Sequence, residues 1–126
     1  MPELPELQAL AEGLTAALAG RAVTAARAHH PATVRTARPP LSALAGHPVA
    51  GMWRRGKVLV LATAGGPSLA IHLMSAGRLG LVPEGAPARP RGLLLDVVVE
   101  GAGTLRLREL GTRRRATAHV LSLIHI

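Results

Sequence analysis

Pro2, Glu3 and Glu6 stand together in the opening hexapeptide Met1-Pro2-Glu3-Leu4-Pro5-Glu6 and combine a nucleophile with acids. Removal of Met1, which a small second residue permits, exposes a secondary α-amine at Pro2. An α-amine titrates at about 7.7–8.0, well below a lysine, so a useful share of it is neutral near neutral pH. A helix beginning just downstream brings its positive end close to the amine and disfavours the cation further. Attack of such an amine on a sugar aldehyde carbon yields an iminium ion, whose fixed charge draws electrons from the next carbon and favours β-elimination. Glu3 is placed to protonate a ring oxygen or leaving group, and Glu6, one helical turn on, to orient the reacting groups. The plainer alternative is that Pro2 and Pro5 open a helix whose dipole the acids complement.

Lys57 is the second candidate. Of the 15 basic residues 14 are Arg, and Lys57 is the one Lys. A chain rich in Ala, Arg, Gly and Pro has exchanged Lys for Arg wherever charge alone sufficed. An ammonium is a compact charge that can lose its proton, whereas a guanidinium stays charged, so Lys57 is a candidate for a task Arg cannot perform. An exposed turn lysine beside Gly56 is the alternative.

The elements that must position these groups are legible from periodicity. Leu7, Leu10, Ala11, Leu14, Ala17 and Leu18 form a helical apolar stripe, with Gly20 as its cap. Strands are expected at Val23–Ala28, Val49–Arg54, Val58–Thr63, Leu69–Met74, Arg78–Val82, Leu93–Glu100, Leu105–Glu109 and Ala118–Leu121. A short helical turn is expected at Leu41–Leu44, with loops at His29–Pro40 and Pro83–Arg91. Gly65-Gly66-Pro67 and Gly101-Ala102-Gly103 read as hairpin turns. One leading amphipathic helix followed by short strands predicts an α+β fold, mainly β: an antiparallel β-sandwich flanked by helices.

Charge and composition bound the partner. A length of 126 residues suits one domain that removes about two thirds of its unfolded surface from water. The net charge of +8 favours a polyanion, nucleic acid first and an acidic membrane surface second. Cysteine is absent, which excludes disulfides and thiolate metal sites, and no metal site is expected in this chain. No apolar run approaches about 18 residues, and the start carries acids where a signal peptide carries bases, so a cytoplasmic protein is expected. Trp53 is the one aromatic residue, too few for a single-strand binding module, and duplex binding suits the chain better.

Three blocks occur together: the opening hexapeptide before a helix, Arg55-Gly56-Lys57 before an apolar strand, and Ile71-His72-Leu73-Met74 followed by Gly77-Arg78-Leu79. In this order and spacing they resemble the N-terminal catalytic domain of the formamidopyrimidine-DNA glycosylase and endonuclease VIII family, itself a β-sandwich flanked by helices. The resemblance implies Pro2 as Schiff-base nucleophile, Glu3 and Glu6 as its catalytic partners, and Lys57 on a β-hairpin loop contacting phosphate or base at the damaged nucleotide. It places His72, Met74 and Arg78 in a segment lining the DNA cleft, where a methionine fills the gap left by a flipped nucleotide. The bland reading of His72 is a satisfied buried histidine.

The chain departs from the family in three places. Its methionine stands one position early at Met74. An Arg-Arg-Phe loop that enters the duplex is replaced by Gly111-Thr112-Arg113-Arg114-Arg115, without Phe. Arg113, Arg114 and Arg115 can clamp phosphates or enter a groove, or form a solvated loop. Third, the helix-two-turn-helix and zinc finger regions of full-length members, with their structural zinc, do not appear. Leu121-Ser122-Leu123-Ile124-His125-Ile126 can be encoded by CTG TCT CTT ATA CAC ATC, which resembles a transposon-end adapter. The expectation is a catalytic domain over 1–120 and an appended tail over 121–126.

The leading expectation is thus a monomeric bifunctional DNA glycosylase and abasic-site lyase acting on damaged double-stranded DNA, without a cofactor in this chain. The alternatives are a non-catalytic DNA-binding remnant and a tautomerase using Pro2 as a general base. The helix directly after Glu6 speaks against the last.

Overall fold

The computed structural model describes residues 4–110 and 115–122. Helix α1 (Leu4–Leu18) follows from the apolar stripe: Leu7, Ala11, Leu14 and Leu18 are buried, and Leu10 and Ala17 pack against the same core. Pro5 falls in the first turn, where its missing N–H is harmless. The helix ends at Gly20, whose φ of 83° suits a residue without a Cβ, while Arg21 Nε donates to the Ala17 carbonyl. Each fully buried leucine is worth about 1.5–3 kcal/mol, so packing rather than propensity holds this helix.

Eight strands follow: β1 (Val23–Ala28), β2 (Val49–Arg55), β3 (Val58–Thr63), β4 (Ser68–His72), β5 (Arg78–Val82), β6 (Leu93–Val99), β7 (Gly103–Arg108) and β8 (Thr117–Leu121), with a 3-10 turn at Leu41–Leu44. They form two four-stranded antiparallel sheets, in the orders β1-β6-β7-β5 and β2-β3-β4-β8. Leu95, Val97, Leu105 and Leu107 of the first sheet and Leu59, Leu61, Leu69 and Ile71 of the second are fully buried in one core. This is the mainly β, antiparallel sandwich with a leading amphipathic helix that the sequence predicts. Among the described residues no helix is long and apolar enough to cross a membrane.

Helix α1 lies along β2, an edge of the second sheet. Thr15 Oγ1 accepts from the Met52 N–H and donates to the Met52 carbonyl, both at 2.9 Å, so the helix satisfies strand groups that an edge leaves unpaired. The opposite edge, β8, is covered by the segment expected to be a plain loop. Arg35 N–H donates to the Ala118 carbonyl, and Ala118 N–H donates to the Thr33 carbonyl. Val120 N–H also donates to Thr36 Oγ1 at 3.1 Å, and periodicity does not reveal this contact because it uses backbone groups and one hydroxyl.

One expected strand is corrected. The run Leu69–Met74 stops at His72, because Met74 adopts a left-handed conformation with φ of 57° and the chain turns back. Gly77 closes the turn, its N–H 2.9 Å from the Leu73 carbonyl. A Cβ at 77 would stand 2.3 Å from that carbonyl oxygen, so a larger residue cannot close it. Other differences are of one or two residues at strand ends: β2 extends to Arg55, β6 stops at Val99, and β7 runs Gly103–Arg108.

Candidate nucleic-acid interface

The register gathers the basic candidates at one end of the sandwich. Arg55 pairs with Val58, Val58 with His72, and His72 with Thr117, so the β2–β3 turn, the end of β4 and the start of β8 share one row. In the other sheet Arg78 pairs with Arg108 at the start of β5 and the end of β7. The two rows adjoin, since a Cβ on Gly77 would stand 3.0 Å from the Ala116 Cβ. Lys57, Arg55, His72, Arg78, Arg108 and Arg115 therefore belong to one end of the fold.

Lys57 is exposed in the β2–β3 turn, after Gly56 at φ of 58°. The turn is braced by Arg54, a residue the sequence does not single out. Its Nη1 donates to the Gly56 carbonyl at 2.9 Å, and its Nε donates to Gln8 Oε1 of α1 at 3.1 Å. One guanidinium thus fastens the first turns of α1 to the hairpin that carries Lys57, a task the rigid fork of Arg performs better than Lys. Glu6 lies in the exposed first turn of α1, two residues before Gln8. Pro2 and Glu3 lie outside the described residues.

His72 is half-buried in a sheet row rather than deep in the core, and Met74 is half-buried in the turn. Arg78 is exposed, its Nη1 donating to the Gly77 carbonyl at 2.8 Å. Ser75, Ala76, Arg78, Arg108 and Leu110 line a groove of about 320 Å³. Arg115 is exposed at the far end of the neighbouring loop. Arg113 and Arg114 lie outside the described residues.

Glu109 is the second residue that sequence reasoning missed as more than a strand end. It is 3% exposed, and its Oε1 accepts from the Arg115 and Ala116 N–H groups at 3.0 and 2.9 Å. A buried carboxylate clasps the two ends of the segment bearing the arginine triplet. The signal available in sequence was an acid seven residues before Ala116 in an otherwise basic stretch. Glu109→Gln keeps an oxygen acceptor but loses the charge, and is expected to lower stability by about 2 kcal/mol, since charge-assisted bonds are roughly twice as strong as neutral ones. Urea unfolding measures this, and a change near zero would show the clasp to be idle.

Residues 1–118 match the model of the formamidopyrimidine-DNA glycosylase N-terminal domain. The chain belongs to this family. It is 34% identical over 116 residues to the formamidopyrimidine-DNA glycosylase of Moorella thermoacetica, covering 90% of this chain and 41% of that protein. It is 41% identical over 117 residues to that of Mycobacterium tuberculosis strain H37Ra, covering 79% and 39%. The fold matches the crystal structure of Lactococcus lactis formamidopyrimidine-DNA glycosylase non-covalently bound to DNA containing an AP site, with a TM-score of 0.86, 26% identity, and coverage of 99% of this chain and 47% of that one. The chain spans about two-fifths of the length of the relatives it matches.

The structural zinc that the family resemblance implies belongs to the C-terminal half of full-length proteins and not to the described residues. They contain no group of three or more His, Asp, Glu or Cys able to hold a metal ion, and the sequence has no cysteine.

Proposed function

We propose that this chain is the catalytic N-terminal part of a bifunctional DNA glycosylase and abasic-site lyase that removes oxidised bases from duplex DNA in the cytoplasm. The observation that carries the reading is the Arg54 bridge, which holds the start of α1 against the Lys57 hairpin at the basic end of the sandwich. Family membership and the net charge of +8 support it, as do solved relatives bound to damaged DNA.

In this reading the Pro2 amine, freed by removal of Met1, attacks C1′ of a flipped nucleotide as the glycosidic bond breaks and the base departs. Glu3 gives a proton to the sugar ring oxygen as the amine attacks, and the ring opening this allows is what releases the base and, with loss of the amine proton, leaves an iminium ion. A base takes the C2′ proton and the C–H pair converts the iminium to an enamine, and return of the pair from nitrogen forms a C2′–C3′ double bond as the 3′-phosphate leaves. Lys57 and the arginines neutralise backbone phosphates, and Glu6 orients the reacting groups.

Borohydride reduction in the presence of abasic-site duplex is expected to trap a covalent adduct whose peptide maps to Pro2. An adduct on Lys57 would overturn the assignment of the nucleophile. Salt-sensitive binding without any adduct would instead identify a binding module of the same fold.

Lys57→Ala is expected to reduce the slope of log affinity against log salt by about one unit. Thermal stability is expected to be unchanged, because the side chain is exposed. An unaltered slope would remove Lys57 from the phosphate contacts.

A further inference from the structure

Trp53 is the one aromatic residue of the chain, and it is 50% exposed although burial would have stabilised the core. Its position in β2 explains the exposure. Met52 pairs with core residue Leu61, so Trp53, opposite Val60, points to the outer face of the second sheet. Arg55, two residues on, shares that face, and the next row contains Val58 and His72.

The ring is supported from one side. A Cβ on Gly51 would meet the indole at 3.3 Å and the Thr15 methyl at 3.5 Å, so the ring lies over the glycine at the α1–β2 seam. Half exposure is what a ring lying against a sheet with one face in water gives. Trp53, Arg54, Arg55, Val60 and Ala62 line a concavity of about 380 Å³ above it. A planar apolar floor, an apolar wall and flanking cations match a nucleobase and its phosphate. The Arg55 guanidinium makes no hydrogen bond or ion pair with a described residue, and its position on the Trp53 face of β2 directs it to the phosphate. With one aromatic in the chain, the platform holds one base, not a strand.

We infer that Trp53 and Arg55 form a binding site for a single unpaired nucleotide, the base stacked on the indole and the phosphate on the guanidinium. This site uses none of the groups assigned to the glycosylase chemistry but rests on the reading that the chain binds nucleic acid. Stacking of this kind is sequence-tolerant and is lost on truncation to Ala.

Trp53 provides its own test, since no other Trp or Tyr contributes emission. The 126-residue chain is titrated with a duplex carrying one unpaired nucleotide and with the same duplex fully paired, following anisotropy of a labelled strand and indole emission together. The expected result is emission quenched in step with binding of the bulged duplex and unchanged by the paired one. Trp53→Ala is expected to weaken the bulged duplex by about tenfold or more and leave the paired one unchanged, and Trp53→Phe to restore most of the loss. Binding by anisotropy with unaltered emission would overturn the site while leaving nucleic-acid binding intact. A blue shift that grows with protein concentration without DNA would assign the face to a second copy of the chain and equally overturn it. Failure of both duplexes to bind would remove the nucleic-acid reading together with the inference.

Discussion

Glu3→Gln is expected to slow base release from an oxidised-base duplex by about 10²–10⁴-fold, the usual worth of a positioned proton donor. The amide matches the carboxyl in size and cannot give a proton to the sugar ring oxygen. The Pro2 amine is untouched, so borohydride trapping at a preformed abasic site is expected to survive, because that substrate has already lost its base and its hemiacetal ring opens to the aldehyde without a catalyst. Single-turnover base release and trapping, run side by side, separate the two steps. Base release within about tenfold of the parent would show that Glu3 does not carry the proton. Loss of both activities together would mean that Glu3 positions the nucleophile rather than the leaving group.

Asp96→Ala is expected to lower stability by about 3–5 kcal/mol, a large share of the roughly 5–15 kcal/mol available to a domain. Asp96 and Arg106 face each other across β6 and β7, with Arg106 Nε donating to Asp96 Oδ1 at 3.0 Å. They are only 8% and 7% exposed. His29 Nε2 stands 3.4 Å from the other carboxylate oxygen, outside good hydrogen-bond geometry. Removing the carboxylate strands a buried guanidinium, which costs far more than the pair contributes in net terms. The double variant Asp96→Leu with Arg106→Met is therefore expected to recover most of the loss, since apolar replacement of both partners is often neutral or better. Urea unfolding of the two singles and the double completes the cycle. Asp96→Ala within about 1 kcal/mol of the parent would show that water reaches Arg106.

Asp96 and Glu109 illustrate one limit of legibility. Asp96 stands in an apolar run and Glu109 in a basic one, and sequence alone gives each no more than a place in a strand. Their roles depend on partners ten residues away across a hairpin, or at the far side of a loop, and a partner's distance is a property of register. Arg54 and Gln8 are separated by 46 positions and meet only because α1 lies on β2. Trp53 was legible as a lone aromatic, but its exposure follows from which face of β2 turns outward.

The sequence by itself determined the elements and the chemical inventory. Alternating and helical apolar spacing is a local property, so α1 and the strands could be read to within one or two residues at most ends. The end expected at Met74 falls at His72, because a left-handed turn closed by Gly77 is decided by the Leu73 carbonyl and not by hydropathy. The candidate groups at Pro2, Glu3, Lys57 and the arginines were likewise named by residue type. Only the tertiary structure decided that Lys57, His72, Arg78 and Arg115 share one end of the sandwich. Antiparallel register and the packing of Gly77 on Ala116 create that proximity, and it leaves no trace in the linear spacing of side chains.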